Sequence, residues 1–412
     1  LNHPKPFADT DFCVKCGLCL PHCPTYNKTL DENESPRGRI ALIQAWSSGA
    51  LKASPKLHQH LDNCLLCRSC ENVCPAEVPY GHLVDQFRIA AGKPKKNLRI
   101  RLKTWASRQI LTNHFINANA AKLLDRYHRS SIQKRLKITH ILNRIGLSNL
   151  GDGLNDTRPT TTQHRYISTD ANTAKKVSLF VGCTGLILDS ETIDSAITIL
   201  NWLGYEVQIP ATQVCCGALD LHAGNATAAT KLAEQNIAAF DSDIGAILSI
   251  ASGCGAMLKE YTLRNPSAVN FAGRTQDICD FVVDRACPLP VPPNPLNATV
   301  IVHTPCSLKN VMHSEQATLK LIQAIPGATI IPLPETLKCC GAAGTYMLEH
   351  PKMANLLRDD VLDCIAATTP DYLVTSNIGC ALHIRSGLLQ RGLKIEVIHP
   401  ITLLARQIPS SQ

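Results

Sequence analysis

Apolar positions along the chain change their period twice, and each change marks a different kind of structure. In the first part they fall at helical spacing. Ile40, Ile43 and Trp46 follow Ser35-Pro36, and Ser54-Pro55 marks a second helix start. A serine there caps free N–H groups, and a proline in the first turn forfeits no helical bond. Further on, Leu98, Leu102 and Trp105, then Ile132, Leu136, Ile141 and Ile145, recur near helical spacing among charged residues, which predicts a basic amphipathic helical segment. Residues 151–176 are polar and read as a linker. From Val177 onward, short apolar runs alternate with helical stretches at 190–203, 226–239 and 353–367. That alternation predicts an α/β architecture with parallel strands.

This second half repeats itself. VSLFVGC ends at Cys183 and VIVHTPC at Cys306; QVCCGALD carries Cys215 and Cys216 where LKCCGAAG carries Cys339 and Cys340; AILSIASGC ends at Cys254 and YLVTSNIGC at Cys380. Offsets of 123, 124 and 126 residues make it one duplicated unit, each copy the size of a small domain. Ligands of a parallel sheet gather beyond the carboxyl ends of its strands. Cys183, Cys254, Cys306 and Cys380 each follow a strand-like run and precede a helix start, where the helix dipole favours a thiolate. Two four-cysteine metal sites are expected: Cys183, Cys215, Cys216 and Cys254, then Cys306, Cys339, Cys340 and Cys380. Reduced cysteines that only pack have no reason to come in adjacent pairs.

The N-terminal part carries a more specific spacing. CVKCGLCLPHCP runs from Cys13 to Pro24 and CLLCRSCENVCP from Cys64 to Pro75, both C-x2-C-x2-C-x3-C-P. Three such thiolates hold one 4Fe-4S cubane, and the fourth ligates the other cluster. Cluster 1 is therefore expected on Cys13, Cys16, Cys19 and Cys74, and cluster 2 on Cys64, Cys67, Cys70 and Cys23. Zinc also takes C-x2-C thiolates, but as two close pairs rather than a triplet with a remote fourth. Arg37 and Arg39 of SPRGRI read more readily as surface residues than as donors to cluster sulfur. Of the nineteen cysteines, Cys279, Cys287 and Cys364 are left over and read as packing residues.

With 412 residues, 45% of them apolar, the chain has material for two or three cores and is neither disordered nor fibrous. Its length, its odd cysteine count and the lack of an apolar signal-peptide core before Cys13 favour metal-bound thiols in a reducing cytoplasm over a disulfide framework. No apolar run reaches the roughly 18 residues that cross a bilayer, so membrane contact is expected to be peripheral. The net charge of +8 is local: residues 93–144 hold fourteen Lys and Arg against one acid, Asp125. Such a segment lies on an anionic membrane, docks a partner subunit, or packs its apolar stripe on neighbouring domains. Nucleic-acid recognition modules are absent. So are a G-x-G-x-x-G fingerprint after a strand and a hydrolytic triad, and no substrate chemistry is expected of this chain alone.

Two C-x2-C-x2-C-x3-C-P runs followed by two C...CCG...C units resemble the iron-sulfur subunits of membrane-associated flavin dehydrogenases. The repeat is similar to the cysteine-rich (CCG) domain of heterodisulfide reductase. SPRGRIALI, ASGCGA, CCGAAGTY and NIGC most resemble the glycolate oxidase iron-sulfur subunit family. That resemblance implies an α-helical ferredoxin-type module with two 4Fe-4S clusters (1–92), a basic helical segment and linker (93–174), and two duplicated CCG domains with parallel strands (175–294 and 295–412). It implies further clusters or zinc at the CCG sites. It also implies a flavin-containing dehydrogenase subunit that oxidises a 2-hydroxy acid, and electron flow towards the quinone pool. The iron-sulfur subunits of anaerobic glycerol-3-phosphate dehydrogenase and D-lactate dehydrogenases are similar in layout. One departure matters. The heterodisulfide reductase unit ends in C-x2-C, whereas here Met257 and His383 stand three after Cys254 and Cys380. Thiol-disulfide catalysis is therefore the less favoured reading, with Met257 expected in the core and His383 near the metal but unbound.

Overall fold

The computed structural model describes residues 7–92, 165–166, 175–287 and 289–409; the basic segment expected at 93–145 lies outside them. The first part is helical, with α1 (Pro24–Thr29), α2 (Pro36–Ser47), α3 (Pro55–Asp62) and α4 (Tyr80–Ala90). Ser35 Oγ accepts from Gly38 N–H at 3.0 Å and Ser54 Oγ from Leu57 N–H at 3.2 Å, with proline at the start of both helices. The core beneath them holds Ile40, Ile43, Leu57, Leu61, Leu83 and Phe87. Trp46 stands edge-on to Phe87 with ring centroids 4.9 Å apart.

The remainder is two sheets of like topology. In the first, β2 (Lys175–Phe180), β3 (Tyr205–Gln208), β4 (Ala246–Ser249) and β5 (Thr275–Asp277) are parallel in the order β3-β2-β4-β5. In the second, β6 (Thr299–Val302), β7 (Thr329–Pro332), β8 (Tyr372–Val374) and β9 (Glu396–Ile398) repeat it as β7-β6-β8-β9. The copies differ at one edge. A two-residue strand, β1 (Arg165–Tyr166), drawn from the expected linker, pairs antiparallel with β3.

Each strand sorts its residues by alternation. Val177, Leu179, Val300 and Val302 face a core common to both sheets, whereas Phe180 and Ile301 face helices of their own copy. The common core is filled by α6 (Ser190–Trp202) and α11 (Ile278–Ala286) from the first copy and α12 (Glu315–Gln323) and α16 (Pro400–Ala405) from the second. α6 packs on α16 and α11 on α12. Those two contacts exchange under a two-fold relation between copies, the self-complementary geometry of a symmetric dimer held in one chain. The outer face of the first sheet is covered by α8 (Ala226–Ala239), α9 (Ser252–Lys259) and α10 (Val269–Arg274). The second is covered by α14 (Pro351–Thr368) and α15 (Ile378–Gln390). Two short helices, α5 (Gly182–Leu188) and α7 (Ala218–His222), and the single turn α13 (Tyr346–Glu349) complete the chain order. No helix among the described residues is long and apolar enough to cross a membrane.

Candidate metal centres

The two N-terminal cysteine runs form matching loops. Positive φ recurs two and four residues after the first cysteine of each: Lys15 (57°) and Gly17 (88°), then Leu66 (52°) and Arg68 (58°). Alternation of this kind turns successive backbone N–H groups into a concavity that suits an anion. Leu66 N–H donates to Cys64 Sγ at 3.4 Å, and Tyr80 Oη–H donates to the same sulfur at 3.5 Å.

The loops enclose two cavities. One, with about 470 Å³ of empty space including its open mouth, is lined by Cys13, Cys16, Cys19, Cys70 and Cys74. The other, about 290 Å³, is lined by Cys23, Cys64, Cys67 and Cys70. Cys74 thus sits with the first run and Cys23 with the second, while Cys70 borders both. Beside the thiols, Lys15 and Arg37 join the apolar lining of the first cavity, and His22, Thr25, Arg39 and Arg68 line the second with Tyr80; among the described residues lining them no carboxylate intrudes. Convergent thiols with cationic side chains beside them and no carboxylate fit an anionic iron-sulfur cluster in each.

Arg39 is not on the surface. Only 1% exposed, it donates to Glu34 Oε2 at 2.6 Å, to His60 O at 2.6 Å and to Thr25 Oγ1 at 3.1 Å. Thr25 Oγ1 in turn lies 3.3 Å from Cys23 Sγ. Arg37 is half-exposed: it pairs with Glu32 at 2.6 Å, donates to Lys15 O at 3.2 Å and lines the first cavity.

In the duplicated half the cysteines converge beyond the strands' carboxyl ends, at the point in each sheet where the connections turn to opposite sides (β2/β4 and β6/β8). Cys183, Cys254 and Cys380 lie within the first turn of α5, α9 and α15 rather than ahead of it. In the first site Cys183 Sγ is 3.5 Å from Cys215 Sγ. Hydrogen bonds from Cys183 and Cys216 draw the Cys215 thiol down, while Cys183 and Cys216 are pushed up. Asn236 and Tyr261 hold the paired cysteines by their carbonyls: Asn236 Nδ2 donates to Cys215 O at 3.0 Å and Tyr261 Oη to Cys216 O at 2.9 Å.

The glycine after each pair has positive φ, 88° at Gly217 and 82° at Gly341, so its N–H turns back to the preceding sulfur. Gly217 N–H reaches Cys215 Sγ at 3.5 Å and Gly341 N–H reaches Cys339 Sγ at 3.4 Å. A Cβ on Gly341 would collide with the Ala354 carbonyl, whereas one on Gly217 would stand 3.2 Å from the Ala229 carbonyl. Gly341→Ala is therefore expected to cost about 2–3 kcal/mol and Gly217→Ala about 1 kcal/mol, read from denaturant midpoints of the two variants.

In the second site the neighbouring Cys339 thiol first, and burial second, push the Cys306 thiol up, and Cys340 and Cys380 are raised as well. His303 joins them. Its ligand nitrogen and the Cys340 and Cys380 sulfurs all lie within 4.8 Å of one another. Burial pushes His303 down to about 4, leaving a neutral ring. Sequence alone does not single it out. The signal available was its place in HTPC, where the first copy has Phe180. His383 points elsewhere, with Nε2 3.2 Å from the Ala354 carbonyl oxygen, and Met257 is buried in the core. Cys279 is buried and packs; Cys287 is exposed, so it does not.

The sites adjoin. Asn310, on the π-helical turn Leu308–Met312 just past Cys306, donates to Cys67 O at 2.6 Å and to Ser69 Oγ at 3.2 Å. Burial first, and the neighbouring Cys306 thiol second, push Cys67 up. Arg68 grips Glu260 through its two terminal guanidinium nitrogens, and His222 Nδ1 lies 3.0 Å from Asp85. Between the duplicated sites, Ser252 Oγ and Ser307 Oγ are 2.8 Å apart, and Asn377 Nδ2 donates to Ser252 Oγ at 3.2 Å.

Residues 9–78 match the family model of the 4Fe-4S dicluster domain, and residues 177–259 and 300–385 match that of the cysteine-rich domain. The probable glycolate oxidase iron-sulfur subunit of Bacillus subtilis is 31% identical over 95% of this chain and 92% of its own. The glycolate oxidase iron-sulfur subunit of Escherichia coli is 31% identical over 91% of this chain and 89% of its own. Lactate utilization protein A of Macrococcus caseolyticus is 28% identical over 57% of this chain and 97% of its own.

Proposed function

The chain belongs to the family of glycolate oxidase iron-sulfur subunits, and on that premise we propose that it carries electrons for a complex that oxidises a 2-hydroxy acid, glycolate first. A separate flavin subunit binds the acid, and quinone is the onward acceptor. The observation that carries this reading is the pair of thiol-lined cavities, the second of which meets the duplicated half where Asn310, just past Cys306, donates to Cys67 O.

Cys13, Cys16, Cys19 and Cys74 would hold one 4Fe-4S cluster, and Cys64, Cys67, Cys70 and Cys23 the other. Cys183, Cys215, Cys216 and Cys254, and the set of Cys306, Cys339, Cys340 and Cys380, would hold further clusters or zinc. A bound cubane cluster takes up and returns single electrons. The chain's own residues fix where those centres stand and donate hydrogen bonds to sulfur, as Tyr80 and the Leu66, Gly217 and Gly341 amides do. Met257 and His383 at the places of a further cysteine favour a carrier over a thiol-disulfide catalyst. Residues 93–145 are proposed to dock the partner subunit or the cytoplasmic membrane face.

The test is co-expression of the full chain with its flavin partner, followed by glycolate-driven reduction of a soluble quinone. Glycolate should bleach the iron-sulfur absorbance of the complex. Bleaching by D-lactate or glycerol 3-phosphate alone would reassign the substrate, and well-folded chain containing zinc but no iron would overturn the carrier role.

A further inference from the structure

The two CCG sites are built from one repeated unit, yet the structure sets them apart at one position. The cysteine offset of 123 residues pairs His303 with Phe180. Phe180 is buried, with its ring centroid 6.0 Å from that of Phe240, and offers no lone pair. His303 sits at the same place after β6, but its nitrogen belongs to a tight buried triplet with the Cys340 and Cys380 sulfurs, all within 4.8 Å. The residue is held at two points: Nδ1 lies 2.8 Å from Thr375 Oγ1, and His303 N–H donates to Val374 O at 3.0 Å. A histidine that ligates a metal almost always has its second nitrogen fixed in this way, which sets tautomer and ring plane. With Nδ1 engaged by Thr375, Nε2 is the nitrogen left to ligate a metal.

We infer that His303 is a protein ligand of the metal centre in the second CCG site, acting with Cys340 and Cys380, and that the first site, with Phe180 in its place, is ligated by sulfur alone. The inference rests on the reading that the second site holds metal. Its consequence is chemical inequivalence within a duplicated fold. Neutral imidazole brings no negative charge to the centre, and imidazole ligation raises a centre's reduction potential relative to thiolate alone. His383, which sequence places three after Cys380, is committed to the Ala354 carbonyl and takes no part.

The test uses the full chain, purified without oxygen with its native metals, in ordinary and 15N-histidine-labelled forms. For an iron centre, pulsed EPR should show a strong nitrogen coupling that changes with the isotope. For zinc, X-ray absorption at the zinc edge should show imidazole scattering. Either signature should be lost in His303→Phe, which copies the first site, and kept in His383→Phe. The isotope comparison on unaltered chain needs no variant to fold. A loaded second site with sulfur-only ligation, or a nitrogen signature that persists in His303→Phe, overturns the inference and leaves the carrier role standing. Absence of any metal beyond that held by the ferredoxin cysteines overturns both the inference and the reading it rests on.

Discussion

Cys23→Ala should remove the cluster proposed on Cys64, Cys67 and Cys70 while sparing the one proposed on Cys13, Cys16 and Cys19, although Cys23 belongs by sequence to the latter run. Cys23 is buried at the start of α1, in the smaller cavity with the second triplet. Alanine there offers no fourth ligand and leaves three thiolates crowded together. Cys74→Ala should do the reverse. Iron content and EPR of the two variants check the pair: each should lose one cluster's iron, with the signals lost differing between them. Glycolate-driven quinone reduction should fall to background in both. The effect on folding is also expected to be large, because α1 to α4 have 6 to 12 residues each, too short to stand alone, and Cys64 and Cys70 belong to the core they share. Loss of the Cys13 cluster in Cys23→Ala would refute the crossed assignment.

Glu34→Ala should be the most damaging change at a residue that is not proposed to ligate metal. Glu34 Oε2 accepts from Arg39 at 2.6 Å, and Oε1 meets His60 Nδ1 at 2.7 Å and Asn63 Nδ2 at 3.0 Å. Removing the carboxylate strands a guanidinium that is almost wholly buried, with only neutral acceptors left to it. Breaking a buried pair by removing one partner costs about 3–5 kcal/mol. The half-exposed Glu32–Arg37 pair is the contrast, where solvent screens the charges and Arg37→Ala should have little effect on stability. Urea unfolding followed by the visible iron-sulfur absorbance should place the Glu34→Ala midpoint well below that of Arg37→Ala.

Local chemistry is what the sequence made legible. Ser35-Pro36 and Ser54-Pro55 start helices because the signal and the bond it makes lie within three residues of each other. The duplicated strands follow from their apolar runs, and the shared order of the two sheets follows from the repeat. Interfaces between elements were not legible. Nothing in offsets of 123 to 126 residues says that the copies press together over one core, because that depends on which face of α6, α11, α12 and α16 finds a partner. Arg39 reads as a surface residue until Glu34, His60 and Thr25 are seen around it. The strand β1 escaped because two residues in a polar stretch carry no period. His303 escaped for a different reason: its meaning lies in the comparison with Phe180, and only the fold shows that the two positions face metal-site thiols.

A core divided between two halves of one chain has a consequence for how the protein is made. A ribosome adds about 5–20 residues per second. The faces of α6 and α11 that α16 and α12 will cover therefore wait on the order of 10 s for the last helix to emerge. During that interval a nascent chain exposes an oily surface whose natural complement is the matching half of another chain, so swapped dimers are the assembly error this architecture invites. Slowed synthesis after residue 295 should raise their yield.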